Sequence, residues 1–112
     1  MDDKLLKKYC PMTETIFYTL LALLEPNHGY GIMKFVKELT NERVKMGTGT
    51  LYTMLGRLVD DQMITVVSET DGKKTYQITS DGRTILVLEV SRLRSQCDNG
   101  EKILGGIAHE EN

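Results

Sequence analysis

Along the first half of the chain apolar residues recur at helical spacing. Ile16, Leu20, Leu23 and Leu24 make one stripe, widened by Phe17 and Leu21, and Pro11 suits a first helical position, so a mostly buried helix is predicted over 11–24. Glu25-Pro26-Asn27-His28-Gly29 is dense in breakers and closes it. A second helix, ending near Asn41, carries Ile32, Phe35, Val36 and Leu39 on one face and Lys34, Lys37 and Glu38 on the other. Leu51, Met54, Leu55, Leu58 and Val59 then fall at i, i+3, i+4, i+7 and i+8, the apolar face of a third helix that Thr48 can cap. Beyond Gln62 the period shortens to two. Ile64 and Val66, then Tyr76 and Ile78, alternate with polar neighbours around Asp71-Gly72, a strong two-residue hairpin signal with Lys73 and Lys74 at its tip. Thr79 or Ser80 caps a last helix to about Cys97, which Asp98-Asn99-Gly100 ends, leaving an acidic, frayed tail over 101–112.

The third helix is oddly written. Opposite its apolar face lie Gly49, Thr50, Thr53, Gly56, Arg57 and Asp60, with Tyr52 on the flank, and interior glycine costs roughly 1 kcal/mol of helix propensity. Three helices and a hairpin form the order of a winged helix, whose third helix enters the DNA major groove. Small residues permit close approach, and hydroxyls bond phosphates and base edges. The expected fold is therefore α+β, mostly α: a winged helix-turn-helix over 1–80 and a C-terminal dimerisation helix with its tail over 81–112. In that last helix Ile85 and Leu88 are expected to pack inward. Leu86, Val90, Leu93 and Cys97, spaced 4, 3, 4, form a second seam for a second chain, with Leu5, Leu6, Tyr9 and Cys10 alongside.

A length of 112 residues fits one domain, and 40% hydrophobic with 27% charged residues is ordinary for a globular protein. The net charge of -2 argues against a nucleic-acid partner, but its distribution does not. Residues 31–58 carry five cations (Lys34, Lys37, Arg43, Lys45, Arg57) against Glu38 and Glu42, and local fields steer a phosphate backbone. Arg57 can alternatively pair with Asp60 or Asp61, one helical turn away. The charged start, MDDKLLKKYC, lacks a secretory segment and no apolar run spans a bilayer, so a cytoplasmic protein without membrane contact is expected. Cys10 and Cys97 are read as reduced thiols, and neither His28 nor His109 sits in a metal or catalytic constellation. No enzyme activity, metal or cofactor is expected. The rival reading is a winged helix used for protein contacts without DNA.

The stretches PMTETIFYTLLALLEPNHGYGIMKFVKEL, GTGTLYTMLGRL and KTYQITSDGR together resemble the PadR family of bacterial transcriptional regulators, in its short subfamily with a single C-terminal helix. The resemblance implies a homodimeric repressor that binds a pseudo-palindromic double-stranded operator and is released by a small-molecule effector. It places Thr48, Thr50, Tyr52 and Thr53 toward DNA, with Tyr30, Lys34 and the Lys73-Lys74 wing on phosphate. Gln62 stands where relatives commonly have glycine.

Overall fold

The computed structural model describes residues 3–111. Its elements are α1 (Asp3–Tyr9), α2 (Glu14–Ala22), α3 (Gly29–Leu39), α4 (Thr48–Asp60), β1 (Ile64–Thr70), β2 (Lys73–Ile78) and α5 (Ser80–Glu111). Three helices, a two-stranded antiparallel hairpin and a long last helix appear in the anticipated order, with α1 as an addition at the front. Asn112 and the side chain of His109 lie outside the described residues.

The core is shared by every element. Leu20 and Leu23 at the end of α2, Ile32 and Val36 of α3, and Leu51, Leu55 and Leu58 of α4 are fully buried, joined by Met63, Ile64 and Ile85. Two anticipated core positions are corrected: Phe35 and Leu39 of α3 are exposed, because α3 turns Ile32 and Val36, flanked by half-buried Met33, toward the core. The helix predicted from Pro11 begins three residues later, because the Thr13 hydroxyl accepts the Ile16 amide and takes the cap position. Thr48 does not cap α4. It is the first helical residue, Gly47 holds the cap position, and the end carries no side-chain cap bond.

The far end of α4 is tightly closed. The Met63 amide donates to the Leu58 carbonyl and the Gln62 amide to that of Val59, with Gln62 at φ 59°, a Schellman closure that presses Met63 onto Leu58. Gln62 thus holds a left-handed position that glycine would take without a side-chain penalty. Asp71 and Gly72 are likewise left-handed, at φ 53° and 75°, and turn the hairpin as expected. The two-residue alternation holds only at the hairpin's base. Ile64 is buried, but Val66 and Val67 are exposed beside a register irregularity between Val66 and Ser68.

At the base of the wing the Thr79 hydroxyl donates to the Gln62 and Met63 carbonyls and accepts the Gly82 amide, which starts α5. A side chain on Gly82 would collide with the Met63 carbonyl, so only glycine lets α5 pass there. Helix α5 then runs through Asp98-Asn99-Gly100 rather than stopping. Without proline or a left-handed residue, these weak helix formers lower propensity but do not break the hydrogen-bond ladder.

The inward face of α5 also differs from expectation. Ile85 and Leu86 are both in this chain's core, whereas Leu88 faces outward with 41% exposure. The next inward position is Glu89, 1% exposed, and its carboxylate accepts from the Met12 amide at 2.8 Å and from Arg92 Nε and Nη2 at 2.7 and 2.9 Å. The anchored segment holds α1 against α5. Tyr9 is buried there, its hydroxyl donating to Asp61 Oδ2 at 2.5 Å, while Lys8 pairs with the same oxygen at 2.7 Å. Those two donors hold the Asp61 carboxyl below its usual range, and burial, with Asp61 beside it, pushes the Tyr9 phenol up.

Candidate nucleic-acid interface

The side of α4 turned away from the core is thin and open. Thr48, Gly49, Thr50, Tyr52, Thr53, Gly56 and Arg57 are all exposed. A Cβ added at Gly47, Gly49 or Gly56 would meet nothing within 4 Å, so these glycines serve no packing need inside the chain. The uncapped start of α4 leaves its first amides turned to solvent, where they can donate to an anion or a base edge.

Helix α3 supplies the flank, through a turn that reads residue by residue. The His28 imidazole accepts the Gly31 amide at 3.2 Å and caps the helix, while Asn27 Oδ1 accepts the His28 amide. Asn27 also exchanges both backbone hydrogen bonds with Tyr76 of β2, at 2.7 and 2.9 Å, and so lays the turn along the wing as a short third strand. A side chain on Gly29 would strike the Tyr52 hydroxyl, so glycine at this position lets α4's tyrosine lie against the start of α3. Tyr30, Tyr52, Lys73 and Lys74 are thereby gathered around one cleft of about 300 Å³. Lys34 lies one turn further along α3, beside Tyr30.

The local cation excess is smaller than the sequence implies. Arg43 is taken by Glu14, at 2.6 and 3.2 Å, and Lys37 and Lys45 lie 3.6 and 3.9 Å from Glu42. Among the described residues Lys34, Arg57, Lys73 and Lys74 enter no ion pair; Arg57 bridges to neither Asp60 nor Asp61, and the Asp61 carboxylate is taken by Lys8 and Tyr9. Of the cations over 31–74, the unpaired ones are those on α3's outer side, α4's open face and the wing.

Residues 18–87 match the transcriptional regulator PadR-like family. The chain belongs to that family. Its fold is also that of a transcriptional regulator from Clostridium thermocellum, 21% identical over 91% of this chain and 96% of that one, with a TM-score of 0.70. A PadR family transcriptional regulator from Eggerthella lenta is 25% identical over 80% and 76% of the two chains, with a TM-score of 0.64. The Bacillus subtilis PadR structure in complex with operator DNA is 28% identical, with a TM-score of 0.54, over 65% of this chain and 45% of that one. No curated protein matches. A PadR-like chain is a transcriptional regulator and not an enzyme. Among the described residues no helix is long and apolar enough to cross a membrane.

The remaining sequence-predicted residues concern a second chain. Tyr9 and Leu86 are buried within their own protomer, Leu5, Leu6 and Val90 are half-buried, and Leu93 and Cys97 are exposed on α5. Sequence reasoning missed α1 as a helix and Glu89 as its anchor. The signal for α1 was present in Leu5, Leu6 and Tyr9 at i, i+1 and i+4.

Proposed function

We propose that this PadR-like regulator binds double-stranded DNA as a cytoplasmic homodimer, α4 entering the major groove and the Lys73-Lys74 wing lying on the adjacent backbone. The open face of α4 carries the proposal: its glycines have no packing role, and its hydroxyls and Arg57 are free to reach base edges and phosphates. The dimer is supported by the length of α5. With Leu86 taken into this chain's own core, the seam runs on past Cys97 as Val90, Leu93, Cys97, Gly100 and Leu104, spaced 3, 4, 3, 4, and Leu93 and Leu104 are uncovered within the chain. Two copies address two half-sites of a pseudo-palindromic operator. Repression is relieved when a small-molecule effector, bound at or near this seam, changes the spacing of the two α4 helices. The unit over 1–80 carries the DNA contacts and 81–112 carries the pairing, with Ile85, Leu86 and Glu89 serving the first unit's core.

The deciding experiment is binding to duplex from upstream of the protein's own gene across 50–200 mM salt. An interface making 6–10 phosphate contacts loses about 10³- to 10⁵-fold in affinity over that range. Arg57→Ala is expected to weaken that binding by about tenfold. A salt-independent interaction, or no preference for that DNA over random duplex, would point to the protein-contact alternative.

Gly56→Ala separates stability from recognition. The methyl group enters open space in the free protein and raises helix propensity, so the fold gains about 0.5–1 kcal/mol in urea titrations. On DNA the same methyl group thickens the groove-facing surface, and affinity drops by about tenfold. Unchanged affinity in the stabilised variant would remove the groove role from this face.

A further inference from the structure

The cleft between α3, α4 and the wing holds a nearly buried phenol whose hydroxyl the fold leaves unused. Tyr76 is 7% exposed, yet its hydroxyl makes no hydrogen bond among the described residues. No fully buried side-chain oxygen or nitrogen lacks a partner among those residues, so this hydroxyl reaches solvent, and the surface it helps to line is the cleft. Around the same opening stand the start of α3, whose Gly29 and Tyr30 amides have no acceptor among the described residues, and the Tyr52 hydroxyl against Gly29. Lys73 and Lys74 form its rim. Against the Glu69 carboxylate, which also acts on Tyr76, stand these donors, two lysines and the positive potential of a helix N-terminus. Such a set of donors suits an anion.

We infer that this cleft seats one phosphodiester of the DNA backbone, held by the Tyr76 and Tyr52 hydroxyls, the α3 amides and the wing lysines. The inference rests on the DNA-binding reading above and extends it to the wing's inner side, where Tyr76 had been only a strand residue. The paired backbone bonds between Asn27 and Tyr76 hold the wing against α3, so the seat is preformed before DNA arrives. Burial, with Tyr52 and Glu69 nearby, pushes the Tyr76 phenol up, so it remains a donor at neutral pH.

A phosphate contact carries no base information, so the test uses a random 30-base-pair duplex and needs no operator. Tyr76→Phe removes only the unbonded hydroxyl, so its melting temperature is expected to match wild type while duplex affinity falls about tenfold. Because a hydroxyl displaces no counterion, the salt slope stays the same, whereas Lys73→Ala with Lys74→Ala lowers it by about one for each phosphate left without its lysine. Wild-type affinity and slope in a folded Tyr76→Phe protein would overturn the phosphodiester seat. A parallel arm titrates inorganic phosphate alone against the Gly29 and Tyr30 amide resonances. If Tyr76→Phe bound duplex normally but lost phosphate-induced shifts, the cleft would serve a free anion and the DNA assignment would fall. If wild type bound no duplex at 50 mM salt, the DNA reading itself would fail, and phosphate shifts abolished by Tyr76→Phe would keep the anion seat while their absence would remove it.

Discussion

Arg92→Ala is expected to destabilise the fold by about 3 kcal/mol at neutral pH, the largest effect of any single truncation outside the apolar core. Glu89 is 1% exposed, and after the substitution its carboxylate keeps the Met12 amide but loses both guanidinium hydrogen bonds. Breaking a buried pair from one side costs about 3–5 kcal/mol, and the lower end applies because Arg92 is itself about a third exposed to screening water. For a chain of this size the loss lowers the melting temperature by about 12 °C or more, compared at fixed protein concentration.

The pH dependence has a definite sign. Arg92, and then the Met12 amide, hold the Glu89 carboxyl below its ordinary value, so in wild type its contribution is present above the ordinary carboxylate range and is lost as pH falls through the depressed value. Without Arg92, burial drives the same carboxyl upward. The stability gap between variant and wild type should therefore narrow as the solution is acidified, because the variant's buried carboxyl accepts its proton readily. Replacing both partners, Glu89→Leu with Arg92→Leu, should recover most of the loss. A single-variant loss below 1 kcal/mol, or a gap that widens in acid, would show that the pair does not anchor α1 and α5.

The interplay of Glu89 and Arg92 shows where the chain was legible and where it was not. Periodicity located every α4 core position because Leu51, Met54, Leu55 and Leu58 face one partner surface, and Asp71-Gly72 placed the turn through a backbone requirement that few residues meet. On α5 the same method exchanged Leu86 for Leu88. A helix with two apolar seams has no single face to orient it, and the inward phase is set by a buried carboxylate that a hydrophobicity pattern scores as surface. The end of α5 was missed for a related reason: Asn99 and Gly100 are common at helix ends, but nothing there takes a left-handed backbone. In the interface, the exposed face of α4 could be read from spacing. The convergence of Gly29, Tyr52 and Tyr76 could not, because it depends on the Asn27 bridge between elements roughly 50 residues apart in sequence.

The seam left on α5 leads to the second large effect. Leu93 is 37% exposed in the single chain and is the second of the five seam positions from Val90 to Leu104, so a charge there faces the same charge from a second copy in the proposed dimer. Leu93→Glu is expected to sediment as a monomer at concentrations where wild type is a dimer. It should retain its own fold, because Ile85, Leu86 and Glu89, which tie α5 to the winged unit, are untouched. Operator binding then loses the second half-site. Two linked half-sites gain about 10²- to 10⁴-fold over either alone, so affinity for the palindromic site should fall by about that factor, while the weak, salt-sensitive affinity for random duplex changes little per protomer. Leu93→Ala, which removes apolar surface without adding charge, should fall between the two and so guard against a general effect of the glutamate. A Leu93→Glu protein that remained dimeric would move the pairing surface off this seam, and one that became monomeric yet kept full operator affinity would separate pairing from recognition, leaving the half-site geometry without support.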